Sequence, residues 1–159
     1  MKFICCLLAV DDVARSRRFY EEILGQKVKM DFGENITFEG DFALHKAAHY
    51  RQLIDGKEIC FGGNTGELYF EDNALEDLAS RLEAEGVALV HPLREQPWRQ
   101  QVIRFYDPDR HIIEVGESME HLVQRLKAEG MSQEEILGAT GLPEAFVAHC
   151  LQSAAEGGA

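Results

Sequence analysis

A single pattern, met twice, restricts this chain more than any other feature. A strand, one helix and three further strands occur in residues 3–45, and the same succession returns in 67–116. In the first copy residues 3–10 read as a strand. Ile4, Cys6, Leu8 and Val10 share one face and Phe3, Cys5, Leu7 and Ala9 the other. Both faces are apolar, so both are expected to be covered. Asp12 is placed to cap a helix over residues 13–24, with Val13, Ser16, Tyr20, Ile23 and Leu24 along its inner side and Gly25 just past its end. Strands at 27–32, 35–39 and 42–45 follow, broken by Gly33-Glu34 and Gly40-Asp41.

The second copy opens with a strand at 67–71. Asn73, with Glu76 three residues later, then predicts a capped helix carrying Leu75, Leu78, Ala79 and Leu82. Strands at 87–91, 101–106 and 111–116 complete it. Between the copies, residues 46–65 show no strong period and predict a long connection with a helical turn near Tyr50. Within the last hairpin, Asp107-Pro108-Asp109-Arg110 has the chemistry of a tight reversal. Beyond it Ile113 and Val115 fall on one face and Glu114 on the other. A carboxylate in a strand of Ile and Val needs a partner, whether water, a base or a metal.

From Ser118 the chain turns helical. Met119, Leu122, Val123 and Leu126 form one stripe, Ser132 and Glu135 a capping box, and Pro143 opens a third helix with Phe146, Val147, Cys150 and Leu151 on one face. The Thr-Gly-Leu-Pro turn faintly suggests helix-turn-helix. Charge argues against DNA, since the net charge of the chain is −12 and the tail itself is acidic. The tail is therefore expected to pack on the sheet or on a partner subunit. No apolar run approaches the roughly 20 residues that span a bilayer, and Asp11 and Asp12 stand where a signal peptide would be cleaved. Cys5, Cys6, Cys60 and Cys150 show no CxxC spacing and read as reduced thiols. These features predict a cytoplasmic protein with no nucleic-acid or membrane partner.

The doubled βαβββ pattern, with FYEEILGQKV (residues 19–28), LEAEGVALV (82–90) and HPLREQPWRQQVIRFYDPDRHIIEVGE (91–117), resembles the vicinal oxygen chelate superfamily. That superfamily contains glyoxalase I, bleomycin-resistance proteins and extradiol dioxygenases. The resemblance covers residues 1–117 and implies an α+β fold in which two βαβββ modules with mixed sheets form an open cup. Module one is residues 1–46, a connecting loop 47–64 and module two 65–117. The helical C-terminal extension, 118–153, lies outside the resemblance, and 154–159 are expected to be disordered.

By position, the resemblance implies a divalent metal (Zn, Ni, Mn or Fe) on Glu114, Glu67, His45 and Cys5. Glu114 matches the family in residue type, whereas cysteine stands at 5 in place of the usual glutamine or histidine. Arg110 replaces the glycine usual in the turn, a change that costs a little if the position needs φ above zero. The alternation of the strands also places Cys5, Leu7, Glu67, Tyr69, Arg104, Tyr106 and Glu114 on the concave side. Trp98, the lone tryptophan, either covers the mouth of the cup or buries against the tail.

Two arrangements of these residues are open. In one, Arg104 pairs with one or both carboxylates and leaves a polar, inert core. In the other, a metal on Glu114 and Glu67, completed by His45 or Cys5, polarises a substrate oxygen while a glutamate shuttles the proton. The resemblance thus implies a small-molecule-binding homodimer with Leu7, Tyr69, Trp98, Arg104 and Tyr106 against the ligand. It acts either as a metal-dependent lyase, isomerase or dioxygenase with Glu114 as catalytic group, or as a metal-free sequestering protein of the drug-resistance kind.

Overall fold

The computed structural model describes residues 1–156. The Asp12 carboxylate accepts the Arg15 N–H at 3.0 Å and so starts α1 (Val13–Arg18), which runs into a π-helical turn at Phe19–Ile23. Gly25 follows at φ +62. Strand β1 (Cys6–Val10) precedes this helix, and β2 (Val28–Asp31), β3 (Asn35–Phe38) and β4 (Phe42–Lys46) follow it. The connection contains α2 (Ala47–Leu53). The second copy comprises β5 (Glu67–Glu71), α3 (Leu75–Ala84), β6 (Leu89–Glu95), β7 (Gln101–Tyr106) and β8 (Ile112–Gly116).

Each copy forms its own open four-stranded sheet, in the orders β1-β4-β3-β2 and β5-β8-β7-β6. The repeat seen in the pattern is therefore a repeat of topology. In the first sheet β1 runs parallel to β4, with Cys6 opposite Phe42 and Ala9 opposite His45, and β3 runs antiparallel to both β2 and β4. This is the predicted α+β architecture.

By its contacts the chain divides into two compact units. The first comprises residues 1–68, 81–90 and 105–113, the second 69–80, 91–104 and 114 onward. In the first unit, Tyr20, Phe38 and Phe42 form an aromatic centre, with the Phe38 and Phe42 rings stacked at 4.5 Å. The Tyr20 hydroxyl donates to Asp107 Oδ2 at 2.9 Å. Asp109 accepts the Asp11 N–H at 3.0 Å, Arg15 Nη2 at 2.9 Å and the buried Ser16 hydroxyl at 2.9 Å. The Asp-Pro-Asp-Arg turn is thus fastened to α1 as well as reversing the chain. Arg110 does take the left-handed backbone, at φ +71.

Two expectations need correction. Phe3 and Ile4 are not covered but 76% and 66% exposed, because the ladder to β4 begins only at Cys6 opposite Phe42. Leu7 is also exposed. Asn73 does not cap α3: its side-chain oxygen accepts the Ser118 N–H at 3.0 Å, and Asp72 takes the Ala74 N–H instead.

In the second unit, α4 (Met119–Ala128), α5 (Gln133–Thr140) and α6 (Glu144–Glu156) enclose a small core of Leu122, Val123, Leu126, Ile136, Val147 and Cys150. Ser118 caps α4, the Ser132–Glu135 capping box starts α5, and Gly141 at φ +68 ends it. Residues 154–156, expected to be disordered, belong to the last turn of α6; 157–159 lie outside the described residues. The tail is held through Glu117, a buried carboxylate just past β8. It accepts the Gln101 N–H at 2.8 Å, Arg125 Nη2 at 2.7 Å and Nε at 3.1 Å, and His121 Nδ1 at 2.9 Å.

Candidate functional site

Strand alternation places Glu114 between the buried Ile113 and Val115, on the opposite face. Its carboxylate is itself buried and is met by the Arg104 guanidinium from β7. Arg104 Nη1 also lies 3.2 Å from His91 Nε2. His91 Nδ1 is 2.8 Å from the Pro92 carbonyl, an obligate acceptor. The proton of the neutral ring is therefore on Nδ1, and Nε2 offers its lone pair to Arg104. The pattern ends a strand at residue 91, whereas His91 lies inside β6, is buried and meets the guanidinium.

A second group in the same unit centres on Gln100, which the pattern did not single out. This buried amide donates to the Tyr69 hydroxyl at 3.0 Å and to the Glu117 carbonyl at 2.8 Å, and accepts Trp98 Nε1 at 2.9 Å. The Tyr69 hydroxyl donates onward to Glu71 Oε1 at 3.1 Å. Burial, followed by the Glu71 contact and the field of Glu114, pushes the Tyr69 phenol up to about 12 against the opposing bond from Gln100. Both rings stay partly open to solvent, Tyr69 at 46% and Trp98 at 39%. Gly116 permits the cluster: a Cβ there would stand 2.7 Å from Gln100 Nε2.

The remaining expected site residues, Cys5, Leu7, His45, Glu67 and Tyr106, lie in the first unit. Tyr106 donates its hydroxyl to Asn64 Oδ1 at 3.3 Å and carries the Arg110 guanidinium 4.1 Å above its ring. Glu67 is exposed on β5. His45 is buried on β4, with Nδ1 3.1 Å from the Asn35 amide and Nε2 3.1 Å from His49 Nδ1. Burial and the neighbouring His49 hold its pKa below the ordinary imidazole value.

The implied metal set does not fit this arrangement. Register places Ala9 beside His45, so Cys5 lies four residues away along the strand, roughly 13 Å at about 3.3 Å per residue. One ion held at about 2.0–2.3 Å by its ligands cannot take both. His45 already uses its two ring nitrogens, and Glu114 is engaged by Arg104. Among the described residues no three His, Cys, Asp or Glu side chains are grouped to hold a metal.

A glyoxalase-like domain model matches residues 3–120. The chain belongs to the glyoxalase-like family. It falls with that family in the vicinal oxygen chelate superfamily, as the paired strings around Tyr20 and Asp107 implied. A protein of unknown function from Agrobacterium tumefaciens str. C58 is 40% identical to this glyoxalase-like protein. The match covers 75% of this chain and 95% of that one, with a TM-score of 0.68.

Two more distant solved structures share the fold. A glyoxalase-related enzyme from Fulvimarina pelagi is 22% identical over 74% of this chain and 88% of its own, with a TM-score of 0.64. A lactoylglutathione lyase from Agrobacterium tumefaciens is 20% identical over 74% and 93%, with a TM-score of 0.54. No curated protein matches the glyoxalase-like chain significantly.

Proposed function

We propose that this glyoxalase-like protein binds a small organic molecule with an oxyanionic group on the face carrying Tyr69, Trp98 and Arg104, without using a metal there. The observation that carries the reading is the placement of Arg104 between His91 and Glu114. A guanidinium has five N–H donors in a rigid fork. Glu114 balances its charge and His91 fixes its plane, which orients the cationic fork for an incoming carboxylate or enolate oxygen. The open rings of Tyr69 and Trp98 supply the apolar contact, with their polar atoms already satisfied through Gln100.

Trp98 is the only tryptophan, so its emission reports on this site alone. Titration with small keto acids and aromatic acids is expected to quench or shift it, and Arg104→Gln to abolish the response. A response that survives Arg104→Gln overturns the reading.

A second reading is favoured by the burial of Glu114 at the position where the superfamily places a metal ligand. In this reading the protein is a lyase, isomerase or dioxygenase and Glu114 takes part in the chemistry. Metal analysis of untagged protein after reconstitution with Ni, Zn, Mn or Fe separates the two. A stoichiometric metal lost in Glu114→Gln favours the enzyme.

The reading includes a cytoplasmic homodimer. Exposed Phe3, Ile4, Met30 and Phe32 support self-association, and four free thiols fit a reducing compartment. No described helix is long and apolar enough to cross a membrane. Light scattering on the purified chain tests the dimer.

A further inference from the structure

A cavity of about 270 Å³ in the first unit plays no part in the reading above. It is lined by residues 62–66, by the apolar Leu8, Leu68 and Ile112, and by the neighbours Arg110 and His111. Arg110 occupies a backbone conformation that glycine adopts freely and other residues pay roughly 1 kcal/mol or more to hold. The turn nonetheless keeps a long cationic side chain there and braces it. The guanidinium lies 4.1 Å from the Tyr106 ring centre, and Tyr106 is tied to Asn64 of the loop. Gly62, at φ +71, lies beside the turn in ordinary contact: an added Cβ would stand 3.5 Å from that of Arg110.

In a chain of net charge −12, Arg110 makes no ion pair among the described residues. His111 beside it donates Nδ1–H to Asp107 Oδ2 at 2.9 Å, which fixes the ring and leaves Nε2 without a hydrogen-bond partner among the described residues. Glu67 is the one carboxylate in the wall, and it is exposed, where water and salt screen it.

We propose that this cavity binds a small organic monocarboxylate. The carboxylate lies on Arg110 with His111 at its side, and the apolar body lies against Leu8, Leu68 and Ile112. The volume, just under the roughly 300 Å³ at which drug-sized pockets begin, suits an acid the size of benzoate. The apolar floor and the single unpaired guanidinium fit a monoanion better than a phosphate.

Calorimetric titration of the full chain with benzoate, and with benzamide as its neutral match, tests this. Benzoate is expected to bind and benzamide to bind about tenfold more weakly or worse, the loss appropriate to one charge-assisted anchor. Arg110→Gly removes the cation and gives the turn the residue its φ favours, so the fold is retained while benzoate affinity drops by about tenfold or more.

Cys60 also lines the cavity and is exposed. Benzoate is therefore expected to slow its alkylation by iodoacetamide, followed on the Cys60 peptide by mass spectrometry. The benzamide and alkylation measurements use the unaltered protein and stand without the variant. Absent benzoate binding, equal affinity for benzamide, binding undiminished in Arg110→Gly, or Trp98 quenching with no protection of Cys60 each overturns the proposal. The last outcome leaves the site around Arg104 intact.

Discussion

At the scale of single residues, the positions that matter most are those where a buried polar group has a full set of partners. Asp109 is one: three donors from 93 to 98 residues away converge on it. Asp109→Ala orphans the buried Ser16 hydroxyl and is expected to cost about 2–4 kcal/mol, measured by urea denaturation. Gly116→Ala is expected to cost about 1–3 kcal/mol through overpacking against Gln100, and to change Trp98 emission because Gln100 holds the indole. An unchanged emission would separate Gln100 from the placement of Trp98. Tyr69 ionises late: with its phenol at about 12, alkaline absorbance titration of Tyr69→Phe is expected to lose a component above the ordinary value of 10. Of these residues, Tyr69 and Trp98 were singled out by strand alternation and loop position, which depend on nearby sequence. Gln100, His91 and the carboxylate of Asp109 were not, because nothing local in QPWRQ or DPD says which distant donor each will meet.

At the scale of elements, the rules that succeeded were local. Asp12 caps α1, Ser132 and Glu135 box the start of α5, and Gly141 ends it, each through bonds to residues within one helical turn. The rule failed at Asn73 because a donor from Ser118 competed for its oxygen, a tertiary bond that outweighed a plausible cap. The attachment of α4 makes a prediction of its own. Burial pushes the Glu117 carboxyl up, but the bonds from Arg125, the Gln101 N–H and His121 together reverse this and hold it below the ordinary value of 4.5. A depressed carboxyl contributes stability that is present above the unfolded value and is lost as pH falls through the folded one. Stability of the wild type is therefore expected to decline below about pH 4.5, and Glu117→Gln to flatten that part of the curve. Equal slopes for the two proteins in acid denaturation would refute the assignment.

At the scale of the whole molecule, the doubled topology was the most legible feature of the sequence. Periodicity reports which side of a strand is apolar, and turn chemistry reports where one strand ends. The metal site was the least legible. Four donors at roughly the family's positions say nothing about register, and register is what separates Cys5 from His45. The bonds from Tyr20 to Asp107 and from Ser16 to Asp109 make the first repeat depend on the second. The helix of the first repeat is completed by the hairpin of the second, so the first repeat does not contain its own keystone. Cut in the connecting loop, fragment 1–56 is expected to be unstructured alone and to gain helical circular dichroism only when mixed with 57–159. The first repeat is therefore expected to lose its fold when parted from residues 105–113, which belong to its unit although they lie in the second repeat.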